Sequence, residues 1–180
     1  EELQQFGMIA QHLKSKNVQV LGMPVRAELE KAHVERPARR EGPFHLLHFG
    51  GSQGSRAIGR TLCEAIHERG PWTKNLRVVH QTGVIDFKDF QNRYQGYDDV
   101  VEMHEFLYDM PKYYQWADLV LCRGGAGTLT EMAAFGLPAI IVPLPAADGH
   151  QEKNGELLVK QNAATMILQK DLNAQRLIEE

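Results

Sequence analysis

ADLVLCRGGAGTLTEMAAFGLPAIIVPLPAADGHQEKN, residues Ala117 to Asn154, is the stretch that decides the fold. Leu119-Val120-Leu121-Cys122 is a short apolar run of the kind a buried parallel strand requires. Gly124, Gly125 and Gly127 break it. Leu129, Met132, Ala133 and Phe135 then begin a helical stripe. Gly136-Leu137-Pro138 stops that helix, with glycine just past its end and proline after it. Ala139-Ile140-Ile141-Val142 is a second apolar run, closed by Pro143. The order is strand, glycine turn, helix, strand.

Such a turn has a specific physics. A helix start leaves main-chain N–H groups unpaired and carries a partial positive charge. Glycine lets a bulky anion approach those groups. A phosphate or diphosphate at Ala126 to Thr128 is one reading, and a plain tight strand-to-helix turn is the other. No Lys follows in the P-loop pattern, and G-x-G-x-x-G fits poorly. Glu131 lies about one turn into the helix. It either complements the helix start electrostatically or accepts hydrogen bonds from two vicinal ribose hydroxyls.

Working outward, strands and helices alternate. Leu3, Phe6, Ile9, Ala10 and Leu13 have the spacing of an amphipathic helix over 2–14, and Val18 to Leu21 reads as a strand. Gly22-Met23-Pro24-Val25-Arg26 is a turn with a lone arginine at the strand's end, followed by a charged connection over 27–43. Phe44 to Phe49 is a strand running into Gly50-Gly51-Ser52-Gln53-Gly54-Ser55, a second glycine turn, and then a helix to about Arg69. Further strands are expected near 76–83, 100–103 and 164–167. Further helices are expected at 87–94, 109–116 and 152–161, with a last one capped by Asp171 or Asn173. This alternation predicts an α/β domain, a Rossmann-like parallel sheet with helices on both faces. Ligands of such sheets sit beyond the carboxyl ends of the strands. Arg26, Ser52, Thr128 and Gln151 all fall just after expected strands.

The 180 residues suffice for one domain with a core, and 43% hydrophobic with 24% charged residues is ordinary for a globular protein. A net charge of −3 argues against nucleic acid held by bulk electrostatics. Cys63 and Cys122 make neither a disulfide framework nor a zinc site, and a reducing compartment is the simplest expectation. No apolar run of membrane-spanning length is present. The chain has no initiator Met and begins inside an expected helix, so it reads as a piece of a longer polypeptide.

Four motifs occur in order and at fitting distances: Gly22-Met23-Pro24-Val25-Arg26, Gly50-Gly51-Ser52-Gln53-Gly54, the block 117–143, and Asp148-x-His150-Gln151-x-x-Asn154. Together they resemble the C-terminal half of the MurG family, the UDP-N-acetylglucosamine transferases that make lipid II from lipid I in peptidoglycan synthesis. The resemblance spans about 18–180. It implies one half of a GT-B glycosyltransferase, with 1–180 as a single UDP-sugar donor-binding domain and 1–17 as a linker helix. An N-terminal acceptor domain would lie outside this chain. By motif match, Arg26 and Ser52 would meet the diphosphate. The main chain at Leu107 would face uracil. Ala126, Gly127, Thr128, Leu129 and Thr130 would form the phosphate-binding helix start, and Glu131 would take the ribose hydroxyls. Gln151 and Asn154 would read hydroxyls of the N-acetylglucosamine ring. Family members often carry Ser where Gly124 stands, a change expected to loosen the turn without removing its N–H donors.

The resemblance further implies a lipid-linked acceptor bound through the N-terminal domain. It implies peripheral association with the cytoplasmic side of the bacterial inner membrane, roles in cell-wall biogenesis, cell shape and division, and a soluble fragment. His150 is the nearest candidate base, against a reading as a loop histidine that positions sugar or phosphate. His45, His48, His67, His80 and His104 share no spacing and read as scattered structural or surface residues. No protein-held metal or cofactor is expected, though a divalent cation could bridge the diphosphate. Three alternatives remain at this level: a stand-alone MurG-like subunit of a split N-acetylglucosaminyltransferase, a UDP-sugar-binding module, and a UDP-sugar epimerase, whose acid/base set is not found.

Overall fold

The computed structural model describes residue 29 and residues 41–51, 55–68, 70–146 and 149–180. The expected helix at 2–14, the strand at 18–21, Arg26, Ser52 and Asp148 lie outside the described residues.

Six strands form one parallel sheet: β1 Phe44–Phe49, β2 Leu76–Gln81, β3 Val101–His104, β4 Leu119–Cys122, β5 Ala139–Ile141 and β6 Ala164–Met166. Their order is β3-β2-β1-β4-β5-β6, that of a doubly wound Rossmann fold. The helices are α1 Arg56–His67, α2 Phe87–Arg93, α3 Met110–Trp116, α4 Ala126–Ala134, α5 His150–Lys160 and α6 Ala174–Glu179, with short 3-10 turns at Pro71–Asn75 and Gln169–Asp171.

Alternation along the strands separates two cores. Leu46, Val78, Val101, Leu121 and Ile140 face Ile58, Leu62 and Ile66 of α1, Phe90 of α2 and Leu177 of α6. On the other face, Leu47, Val79, Val120, Cys122 and Ile141 meet Tyr114 of α3, Leu129, Met132 and Phe135 of α4, and Leu158 of α5. Leu29, helical and fully buried, joins this second core. Each fully buried Leu, Ile or Phe contributes about 1.5–3 kcal/mol. The sheet is therefore clamped from both sides, as its apolar strand runs require.

The helix ends follow their sequence signals. After α4, Gly136 takes φ 60°. The Leu137 amide bonds the Met132 carbonyl at 3.0 Å, and Leu137 is buried beneath the turn. Asn173 caps α6, its Oδ1 accepting from the Arg176 amide at 2.9 Å. Asn173→Ala is expected to lower stability by about 1 kcal/mol. Urea denaturation monitored by circular dichroism checks this, and an unchanged midpoint would refute it. At α5 the boundary differs for a clear reason. α5 begins at His150, two residues before its expected start, because Gly149 turns the chain into the helix at φ 61°.

Candidate functional site

β1 and β4 are neighbours, yet β1 sends its chain to α1 on one face while β4 sends its chain to α4 on the other. Beyond their carboxyl ends lies the crevice where such sheets bind ligands. It is a cleft of about 570 Å³, lined among others by Gly51, Ser55, Arg123, Gly125, Thr128 and Gln151.

Two glycines shape the start of α4. No side chain caps the helix at Gly125. The first helical bond runs from the Leu129 amide to the Gly125 carbonyl at 3.0 Å. The amides of Ala126, Gly127 and Thr128 therefore have no acceptor within the helix. A Cβ added at Gly127 would meet nothing within 4 Å, so the first turn of α4 is open on that side. Amide donors and helix polarity together are what an anion seeks at a helix start. Leu129 contributes only its main chain, because its side chain is buried in the core. The Thr130 hydroxyl donates to the Ala126 carbonyl at 2.9 Å.

Glu131 lies one turn further along α4. Its Oε2 accepts a hydrogen bond from the Tyr114 hydroxyl at 2.9 Å. Leu107, in the loop between β3 and α3, buries its side chain, which leaves its main chain for any ligand contact.

The start of α5 closes on the turn from the other side. Gln151 Oε1 accepts from the amides of Gly124 at 3.1 Å and Leu144 at 3.0 Å. Its Nε2 remains to donate into the cleft that Gln151 lines. Asn154 Nδ2 donates to the Gly124 carbonyl at 3.0 Å, and its Oδ1 is buried without a hydrogen-bond partner. Gln151 and Asn154 thus both hold Gly124, and the buried Asn154 amide is tied to the turn rather than displayed. His150 opens α5 and is exposed. Gly124 does not loosen the turn as expected. Its N–H is taken by Gln151, and α5 packs so close that a Cβ there would lie 2.3 Å from the Gln151 carbonyl oxygen.

Arg123 was not singled out by the sequence. Its guanidinium donates to the carbonyls of Val142 at 3.0 Å and Pro143 at 3.1 Å, and to Gln169 Oε1 at 2.7 Å. Among the described residues no carboxylate pairs with it, and burial pushes its pKa down. A half-withdrawn cation with only neutral acceptors gives the cleft an uncompensated positive charge. Arg56, also at the rim, is instead held by Asp86, Nε to Oδ1 at 2.7 Å. The available signal for Arg123 was position alone, a cation between a buried strand and a glycine turn. Among the described residues, no group of three or more His, Cys, Asp or Glu is placed to hold a metal ion.

The family model of the glycosyltransferase family 28 C-terminal domain matches residues 45–180. The chain belongs to this family. A curated relative from Bdellovibrio bacteriovorus is 53% identical over 97% of the chain and 48% of its own length. A second, from Geobacter sulfurreducens, is 37% identical over 88% of the chain and 44% of its own length. Both are named UDP-N-acetylglucosamine–N-acetylmuramyl-(pentapeptide) pyrophosphoryl-undecaprenol N-acetylglucosamine transferase. The chain spans about half the length of these relatives. The crystal structure of Acinetobacter baumannii MurG is similar at a TM-score of 0.72 and 28% identity, covering 96% of this chain and 52% of that one. The glycosyltransferase family 28 sheet is thus the Rossmann-like half of a GT-B structure, and the matched region carries α1, α4 and α5, whose starts enclose the cleft.

Proposed function

We propose that this chain is the UDP-N-acetylglucosamine-binding donor domain of an inverting glycosyltransferase that converts lipid I to lipid II in peptidoglycan synthesis. The observation that carries the reading is the cleft between β1 and β4. There the uncapped start of α4, at Gly125 and Thr128, opens on the cleft beside Arg123, with Glu131 one turn away. The curated relatives' names supply a substrate whose parts fit that sequence of groups. The diphosphate sits on the amides of Ala126 to Thr128, with Arg26 and Ser52 completing its grip. The ribose hydroxyls bond Glu131, the uracil edge meets the main chain at Leu107, and Gln151 Nε2 donates to the sugar. Asn154 acts behind the turn.

Chemically, this half serves the leaving group. As the sugar–phosphate bond breaks, negative charge grows on the diphosphate, and the α4 amides and Arg123 offset it without moving. The base that takes the acceptor hydroxyl's proton comes from an N-terminal domain, which also receives the lipid-linked acceptor. His150, exposed at the start of α5, is a positioning group in this scheme. The whole enzyme works peripherally on the cytoplasmic side of the inner membrane and serves cell-wall growth, shape and division. No described helix is long and apolar enough to cross a membrane.

Calorimetric titration tests the reading. UDP-N-acetylglucosamine and UDP are expected to bind, and UDP-N-acetylgalactosamine to bind more weakly. Glu131→Ala is expected to weaken UDP and the sugar nucleotide alike, by roughly tenfold or more, the scale of lost hydrogen bonds to a carboxylate. Absence of uridine-nucleotide binding in the protein at its full natural length would refute the assignment.

A further inference from the structure

Tyr114 sits behind the carboxylate assigned to ribose. It is 1% exposed, packed with ring centroids 6.1 Å from Phe49 and 5.2 Å from Phe135. A phenol locked between two rings has its hydroxyl aimed by packing, and here that hydroxyl reaches Glu131 Oε2 at 2.9 Å. A buried tyrosine whose one polar atom meets a carboxylate at a cleft rim is a positioning arrangement.

Resting on the donor-domain reading above, we infer that Tyr114 is a positioning residue for nucleotide selection: it fixes the rotamer of Glu131 so that the carboxylate accepts from the vicinal hydroxyls of a ribonucleotide. An ionised carboxylate has about four acceptor positions. Tyr114 takes one of them, and a cis-diol needs two. Without that bond the Glu131 side chain gains freedom, and that freedom must be removed again at each binding event. The same tyrosine roots the carboxylate in α3, the helix that follows the loop carrying Leu107. It therefore holds the ribose reader in register with the loop assigned to the base.

The discriminating experiment titrates the protein at its full natural length with UDP and with 2′,3′-dideoxy-UDP, in the parent, Tyr114→Phe, Glu131→Ala and the double variant. Tyr114→Phe removes one oxygen and keeps the ring that fills the core. It is expected to weaken UDP roughly tenfold, the scale of one hydrogen bond to a charged group, while leaving dideoxy-UDP essentially unchanged. In the Glu131→Ala background it is expected to do nothing further. A merely structural tyrosine would reduce both ligands equally, because a misfolded fraction binds neither, and that outcome overturns the inference. Full UDP affinity in Tyr114→Phe, with Glu131→Ala still selectively impaired toward the ribonucleotide, overturns it while the ribose assignment stands. Equal loss of both ligands in Glu131→Ala overturns the ribose assignment, and the role of Tyr114 falls with it.

Discussion

Acidification from pH 6.5 to pH 4 is expected to lower the unfolding free energy by about 3 kcal/mol or more, through two histidines buried against each other. His48 and His80 are paired across β1 and β2, are fully buried, and place their ring centroids 4.6 Å apart. Nδ1 of His48 donates to the Leu121 carbonyl at 2.8 Å, and His80 Nδ1 lies 3.2 Å from the Tyr94 hydroxyl. Neither Nε2 has a partner. Gly59 of α1 covers the pair so closely that a Cβ there would lie 2.9 Å from His80 Cε1. Burial, helped by the nearby Arg123 charge and opposed by the hydrogen bond to Leu121, lowers the His48 pKa from 6.5 to about 4. Burial and the neighbouring His48 also push the His80 value well below normal.

Above pH 6.5 both rings are neutral whether the chain is folded or not, and stability is full. Below it the unfolded chain takes up protons that the folded one refuses, so stability falls as pH falls toward the folded pKa. Urea unfolding between pH 5 and 6.5, above the ordinary carboxylate range, isolates this effect. The slope should approach about 1.4 kcal/mol per pH unit for each histidine, and His80→Phe should remove one histidine's share. A flat profile in the parent over that window would refute the account.

Gly124→Ala is expected to have the largest effect of any single methyl addition at the cleft. Its Cβ would lie 2.3 Å from the main-chain oxygen of Gln151, and backbone cannot swing aside as a side chain does. Either α5 retreats or the turn before α4 opens. Both break the three hydrogen bonds that register the two helices: Gly124 amide to Gln151, Leu144 amide to Gln151, and Asn154 to the Gly124 carbonyl. A stability loss of about 1–3 kcal/mol follows from the forced shift. Uridine-nucleotide affinity should fall with it, because Gln151 Nε2 and the α4 amides move apart. Gly127→Ala is the matched control. Its Cβ would meet nothing, and alanine suits a helix better than glycine by up to about 1 kcal/mol. That variant should fold at least as well as the parent. Thermal melts of both settle the matter: equal stability would refute the close-packing argument. Relatives with Ser at this position would need α5 to begin further from the turn.

The fold was legible because buried parallel strands announce themselves as apolar runs and their ends as Gly and Pro. Leu119–Cys122 and Ala139–Ile141 were bounded this way. Glycine turns after β1 and β4 likewise mark the cleft in the sequence itself. What stayed hidden depends on contacts between distant residues. His48 and His80 have no shared spacing, and only the parallel register sets them side by side. Scattered in sequence, they are a pair in space. Tyr114 read as one of several aromatics on a helix, since nothing local says that its hydroxyl meets Glu131. Gln151 was legible as a polar group at the rim, and Asn154 only through the family motif. Their engagement with Gly124 was not, because it depends on how closely α5 approaches.

The strand order has a mechanical consequence. Residues 44–104 build one three-stranded half of the sheet and residues 119–166 the other. The halves are joined edge to edge along β1 and β4, a seam of four residue pairs from Leu46–Leu119 to Phe49–Cys122, with α6 crossing back to pack on α1. On the proposed reading, a diphosphate held at the α4 start and by the turn after β1 would act as a rivet through that seam. Amide exchange at Phe49, Val120 and Cys122 should then slow on ligand binding far more than exchange in β3 or β6, because only opening of the central seam must first release the guest.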